Sequence, residues 1–382
     1  MHAWQTNLRQ KLEQHRQNGL LRTLKPENTR LADFTSNDYL GLARSQTLAA
    51  DIHSKLNTLA LPPNGATGSR LLSGNATYTR DVEQKLAGLF KSESTLIFNS
   101  GYSANLAVLS AIPQRHDTIL YDELAHACIK DGARLNLAKH HSFRHNDLDD
   151  LEQKLKRAEG QVFIAVESIY SMDGDVCPLA DLVKLAEIYG AAIVLDEAHS
   201  TGVEGAHGSG LSTALGLHDR IAIRIFTFGK AMGIHGACVA GSTILTDYLV
   251  NHARPFIYTT ALPPHSIASI DCAFEYLQQQ ANDLQQALKD NISRFLSGVD
   301  TIGNRTASTS AIQTAIFPGN EQARHAAQTL QAQGFDVRPI LSPTVPAGAE
   351  RLRICLHTYN TGEEITALTA ALSELAVKSQ TA

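Results

Sequence analysis

Apolar and polar positions alternate on two different periods along this chain. In the middle, QVFIAVES (161–168), AAIVLD (191–196) and IAIRIFTF (221–228) are short, nearly continuous apolar runs. Runs of that length bounded by turn residues predict buried strands. Between the first two, Leu182, Val183, Ala186 and Tyr189 share one helical face, and Gly190 ends the pattern. Upstream, Val82, Leu86, Leu89 and Phe90 mark a helix over 81–90. Leu96 to Phe98 reads as a short strand, and Ala104 to Ile112 as the helix after it. The first ~20 residues carry Trp4, Leu8 and Leu12 at helical spacing. From Pro264 to about Val299 the pattern is one long or kinked polar helix. AIQTAIF, EQARHAAQTLQAQG and RLRICLH then alternate strand and helix.

Strand–helix–strand spacing predicts an α/β fold, with a large, mostly parallel sheet covered by helices on both faces. The last third predicts a smaller α+β C-terminal domain. The expected division is an N-terminal helix and arm over 1–45, a large domain over 46–275 and a small domain over 276–382. A length of 382 residues is ample for such an arrangement. Open parallel sheets place their chemistry beyond the carboxyl ends of the strands. Asp196 ends one strand and Lys230 lies just past another, so both point at the same edge.

Composition excludes more than it suggests. The net charge of −5 gives no basic surface for nucleic acid or an acidic membrane. No run approaches the ~18 apolar residues of a spanning helix. The polar N-terminus MHAWQTNLRQKLEQHRQ reads as neither signal peptide nor anchor. The five cysteines are scattered without a C-x-x-C pair, so reduced thiols in a cytoplasmic protein are expected. The loop TGVEGAHGSG lacks the G-x-G-x-x-G spacing of a dinucleotide site, and FGKA lacks the Ser or Thr of a phosphate-binding P-loop. His140, His141 and His145 fall where a partly exposed strand is expected. No carboxylate–histidine spacing there indicates a metal.

Asp196, His199 and Lys230 change the picture. A lysine in a partly desolvated pocket has a lowered pKa and can attack a carbonyl. Pyridoxal phosphate needs such a lysine and an acid for its pyridinium nitrogen. Its phosphate needs backbone N–H donors at a helix start, which NSGYSANLAVL supplies at Gly101 and Tyr102.

The motifs SNDYLGL (36–42), NSGYSAN (99–105), YDELAHAC (121–128), ESIYSMDGD (167–175), LDEAHSTG (195–202), FTFGKAMG (226–233) and SPTVPAG (342–348) follow in this order. With them the chain resembles the alpha-oxoamine synthases, fold-type I pyridoxal-phosphate enzymes, from about Trp4 to about Thr361. The resemblance implies a seven-stranded type of sheet and assigns roles by position. Lys230 matches the lysine that carries pyridoxal 5′-phosphate and later acts as general base. Asp196 matches the partner of the ring nitrogen, His199 the partner of the phenolic oxygen, and His126 the imidazole on the ring face. Gly101, Tyr102 and Thr227 match phosphate ligands, and Ser171 another cofactor contact. Asn37, Arg22, His126 and Thr344 match positions that meet the substrate.

The implied reaction is a decarboxylative condensation of an amino acid with an acyl thioester. L-Alanine and a pimeloyl group, on coenzyme A or on an acyl carrier protein, are the expected pair, as in biotin synthesis. Glycine with acetyl-coenzyme A, or another pair within the family, is the alternative. A catalytically silent subunit is disfavoured because Lys230 and Asp196 are both present. The resemblance also implies a homodimer with shared active sites, to which GATGSRLLSGN (65–75) and IYTTALPP (257–264) contribute. One departure stands out. Relatives read I-R-P-P-T-V-P where this chain has Leu341 in I-L-S-P-T-V-P, so the substrate carboxylate needs another arginine, with Arg338 and Arg353 nearby.

Overall fold

The computed structural model describes residues 2–24, 26, 28, 30–62, 64–299 and 305–380. The outermost ends of the expected units, residue 1 and residues 381–382, lie outside these. After the two-residue strand β1 (Ala32–Asp33) come seven strands of one sheet: β2 (Ser94–Phe98), β3 (Thr118–Asp122), β4 (Lys139–Phe143), β5 (Val162–Glu167), β6 (Ala192–Asp196), β7 (Ile223–Thr227) and β8 (Ala237–Gly241). Their spatial order is β2-β8-β7-β6-β5-β3-β4. Only β8 runs against its neighbours; the other pairings are parallel. β5 and β7 are buried at every residue, which is why their sequences show apolar runs rather than alternation. Two separate cores explain it. One packs α4 (Gly101–Ala111) and α5 (Ala127–Leu135) on one face, and the other packs the helices Leu148–Leu155 and Leu179–Ile188 on the opposite face.

β4 is one of the two edge strands, opposite β2, and its KHHSF sequence keeps it polar where no neighbour pairs with it. His140 and His141 sit on it as expected. His145 does not. It lies beyond the strand end, with Nδ1 2.9 Å from Asp122 and Nε2 2.6 Å from Asp175, and its ring stands edge-on to Tyr170. Burial opposes its charge, but the two carboxylates outweigh burial and raise its pKa to about 10. It is a cationic clamp between β3, β4 and the loop before the helix Leu179–Ile188. No group of side chains suited to a metal occurs among the described residues.

The small unit holds an antiparallel sheet in the order β11-β12-β9, from β9 (Ile312–Ile316), β11 (Arg338–Ile340) and β12 (Arg351–Cys355). β10 (Phe335–Asp336) pairs in parallel with β1, so the N-terminal arm is stitched to the C-terminal unit. The helices Asn320–Ala332 and Gly362–Gln380 close its core. The helix Pro264–Gly298 is one unbroken element, with proline at its start where the missing N–H costs nothing. The expected boundary at residue 275 falls inside it. Its first part is not polar: residues from Ile267 to Phe274 are all buried, because they lie against α2 (Gln46–Thr58), α3 (Thr77–Leu89) and the sheet. The third core therefore runs without a gap from Phe226 of β7, through this helix, to Leu352 and Ile354 of β12. No helix among the described residues is long and apolar enough to cross a membrane.

α1 (Ala3–Gln17) forms as its spacing predicts, but Trp4, Leu8 and Leu12 stay exposed along one face.

Inside the buried stretch of the long helix sits one acid, Asp271. It accepts from Lys85 Nζ at 2.6 Å, Tyr78 at 2.8 Å and Lys55 Nζ at 3.3 Å, and so ties α2 and α3 to the helix. Burial favours the neutral acid, but these donors and the lysine charges outweigh it and lower its pKa. Asp271→Asn should cost ~1–3 kcal/mol, discounted because both lysines reach solvent. A depressed folded pKa gives stability that is present above the unfolded value of ~3.9 and lost as pH falls through the folded value. Urea unfolding of both proteins from neutral pH downward should show the two curves converging in acid. A gap that stays constant would remove Asp271 from the account.

Candidate active site

The parallel strands β3, β5, β6 and β7 end at Asp122, Glu167, Asp196 and Thr227 on one edge of the sheet. A cleft opens there. Its lining includes Asn37, Gly101, Tyr102, Asn105, His126, Cys128, Glu167, Asp196, Thr227 and Lys230.

The start of α4 forms one wall. Ser100 caps the helix: its hydroxyl accepts from Ser103 N at 3.2 Å, and Ser103 Oγ accepts from Ser100 N at 3.1 Å. The first N–H groups of a helix have no partner within it, so those of Gly101 and Tyr102 remain available to a ligand. A Cβ at Gly101 would come within 2.3 Å of Thr227 Cγ2, so glycine alone lets helix and strand approach this closely. Thr227 Oγ1 is buried there without a hydrogen-bond partner. An unpartnered hydroxyl beside spare N–H donors suits an anion's oxygens.

The floor is acidic. Asp196 accepts from Asn105 Nδ2 at 2.7 Å and from Ala198 N at 2.8 Å. Glu167 lies directly beside it in the β5–β6 register, buried, and accepts from His126 N at 2.6 Å. Burial and then the charge of Asp196 push the Glu167 pKa up to about 8. Lys230 completes the group. Burial lowers its pKa, against the pull of Asp196 and Glu167 and with help from Arg353. Its Nζ lies 2.7 Å from His199 Nε2. His199 is buried, and desolvation together with the charges of Lys230, Arg353 and His126 hold its pKa well below the ordinary value, so the ring is neutral.

The small unit supplies the last side. Arg353 Nη2 donates to Asn37 Oδ1 at 2.9 Å, and its Nε to the carbonyl of Ser171 at 2.6 Å. Arg338 faces Arg353 across β11–β12, but it pairs with Asp336 at 2.8 Å. Leu341 packs against the core. Of the two candidates to replace the missing arginine, Arg353 is the one bonded to a residue of the cleft lining, Asn37.

Lys230, Asp196, His126, Thr227, Gly101, Tyr102 and Asn37 therefore converge on one cleft, with His199 behind Lys230. Ser171 meets the site through its carbonyl and does not line the cleft. Arg22, in the coil after α1, and Thr344, in the loop after β11, are exposed and stand outside it. Sequence reasoning missed Glu167, Asn105 and Tyr39. Glu167 had a signal: like Asp196, it is the acid at the end of an apolar strand. Asn105 lies one helical turn after Gly101, which aims it back at the floor. Tyr39 gave no signal beyond its place in SNDYLGL.

The aminotransferase class I and II family model matches residues 29–372. Over 368 residues the chain is 42% identical to 8-amino-7-oxononanoate synthase of Emericella nidulans, covering 91% of this chain and 89% of that protein. Over 348 residues it is 38% identical to 8-amino-7-oxononanoate synthase of Geotalea daltonii, with coverage of 90% and 88%. Among solved structures, serine palmitoyltransferase of Sphingomonas wittichii superposes with a TM-score of 0.85 at 28% identity, covering 92% and 88%. The 8-amino-7-oxononanoate synthase of Francisella tularensis superposes with a TM-score of 0.79 at 29% identity, covering 93% and 100%. Pyridoxal 5′-phosphate is the cofactor of this group. The residues here fit it: the orphaned Thr227 hydroxyl and the spare N–H groups suit its phosphate, Asp196 its ring nitrogen, and the poorly basic Lys230 its aldehyde.

Gly101→Ala should weaken cofactor affinity at least about tenfold, ~1.4 kcal/mol. In a Thr227→Ser background, which keeps the hydroxyl and removes the clashing methyl, the same change should cost much less. Fluorescence titration of the cofactor-free variants measures both. Glu167→Gln removes one of the two acids that support the charge on Lys230. Its amine should then become reactive at lower pH, and the rate of cofactor uptake should reach its plateau earlier on a pH axis than in the wild type. Superimposable profiles would exclude that coupling.

Proposed function

We propose that this chain, which belongs to the aminotransferase class I and II family and within it to the alpha-oxoamine synthases, condenses L-alanine with a pimeloyl thioester. The products are 8-amino-7-oxononanoate, carbon dioxide and free thiol, a step of biotin biosynthesis. The observation that carries this reading is Lys230, poorly basic and set between a pair of buried acids and a neutral imidazole, with Arg353 bonded to Asn37 of the cleft lining. The likeness at 42% and 38% identity to synthases of that name supports the choice of substrates.

When bound, pyridoxal 5′-phosphate supplies an electron sink for negative charge at the amino acid's α-carbon. The chain's own residues do the rest. Arg353, steadied by Asn37, takes the alanine carboxylate in place of the arginine lost at Leu341. Lys230 would take the α-proton, for which a lowered pKa suits it. Asp196, fixed by Asn105, would hold a proton on the ring nitrogen. His126, whose backbone Glu167 fixes, would hold the ring from the cleft wall. The α-carbon then attacks the thioester carbonyl, the thiol leaves, carbon dioxide is lost, and Lys230 returns the proton.

Two copies of the chain form the working unit in this reading. Leu72 is 84% exposed and Tyr258 74%, one in each segment expected to reach a partner, and the bare face of α1 adds to them. All five cysteines are free and buried, in keeping with the cytoplasm.

Thiol release from pimeloyl thioester should be fast with L-alanine and slow with glycine or L-serine. Release with glycine or serine instead, or none with the pimeloyl chain, overturns the substrate pair. Lys230→Ala should abolish turnover. Arg353→Lys should raise the KM for alanine about 10–100-fold while changing kcat less, because a bidentate fork is replaced by a point charge.

A further inference from the structure

Tyr39 stands behind the cleft and lines no part of it. It is 1% exposed. Its hydroxyl carries one proton and meets Asn37 Oδ1 at 3.0 Å and His199 Nδ1 at 2.8 Å, and it also accepts from the Arg353 guanidinium, which leaves its own proton to the other two. Which one receives the proton can be deduced. Arg353 Nη2 lies 2.9 Å from Asn37, and a guanidinium only donates, so Asn37 presents its oxygen. An amide oxygen only accepts, so Tyr39 gives its proton to Asn37. The tyrosine oxygen is then the acceptor toward His199, whose Nδ1 must carry the ring proton. Nε2 is left bare and accepts from Lys230 Nζ at 2.7 Å. Every bond in the series Arg353, Asn37, Tyr39, His199, Lys230 thus has a defined direction.

We propose that Tyr39 is a positioning residue: its hydroxyl, oriented by Asn37 and Arg353, sets the tautomer of His199 and so decides whether the imidazole offers the cleft a lone pair or an N–H. The relay reverses as a unit. When the cleft presents an acceptor in place of the amine, Nε2 must hold the proton and Nδ1 must accept, so Tyr39 turns from Asn37 to His199. Asn37 then loses one of its two donors. A carboxylate that draws Arg353 away from Asn37 acts on the same hydroxyl from the other end. The reach of this relay to substrate rests on the function proposed above; the tautomer itself does not.

The surroundings keep the relay in working order. His199 is faced by Lys230, Arg353 and His126, all cationic or potentially so, and stays neutral. Tyr39 is faced by Cys355 and Arg353, and burial keeps its hydroxyl protonated. Its ring lies near those of His199 and His357, packing that a phenylalanine preserves.

Long-range proton–nitrogen correlation spectra of the full-length, cofactor-free protein near neutral pH test this directly, with His199→Gln assigning the signal among 16 histidines. The wild type should show His199 protonated at Nδ1. Tyr39→Phe should move a substantial share of the proton to Nε2. A wild-type ring protonated at Nε2, or an unchanged tautomer in the variant, overturns the proposal. With cofactor loaded, Tyr39→Phe should shift the absorbance-monitored pH titration by about half a unit or more at equal cofactor content and thermal midpoint. A coincident titration would reduce Tyr39 to packing.

Discussion

Two acids side by side in a buried floor are the constraint on which the rest of the site depends. Glu167 and Asp196 end neighbouring parallel strands in register, so the sheet itself forces them together. Like charges at that spacing, out of water, cannot both be held without compensation. The surroundings supply it from every side: Asn105 and Ala198 to Asp196, His126 N to Glu167, and Lys230 to both. With one cation already placed, a second would be costly. His199 is accordingly a neutral ring, and Arg353 is held at the rim by Asn37 and the Ser171 carbonyl.

What the sequence revealed of this floor is what a strand pattern can reveal. An apolar run ending in Asp196 and another followed by Lys230 predict convergence, because parallel strands in one sheet share an edge. Gly101 and Thr227 were legible as a helix start and a strand end. Their mutual contact was not, since it depends on how closely α4 approaches β7. His145 was read as a strand histidine because its two acids come from 23 and 30 residues away. The polar reading of the helix Pro264–Gly298 failed at its first turns. There, small and apolar residues are buried on all faces, and Asp271 is neutralised by lysines from two other helices.

Leu341 shows the same division. Locally it reads as the loss of a substrate-binding charge. In the fold it packs against the core, and the charge bonded to Asn37 of the cleft is Arg353, one strand away. The arm that carries Asn37 and Tyr39 is fastened to the small unit rather than to the large sheet. Asp33 accepts from Tyr359, Ser36 bonds His357 and Tyr359, the two rings stack at 4.6 Å, and Arg44 lies over Tyr359. The relay from Arg353 to Lys230 therefore crosses the seam between the units at the Tyr39–His199 bond.

That fastening also sets an order of assembly. β1 pairs with β10 across some three hundred positions, and Arg353 reaches Asn37 over a separation of 316. A chain still on the ribosome has already made Asp196 and Lys230, the residues of the floor. The corner that would grip a carboxylate cannot exist until translation has passed residue 353. Contacts this remote in sequence are late by necessity and slow by entropy. The nascent protein thus carries Lys230 more than a hundred residues before it carries the arginine proposed to choose the substrate.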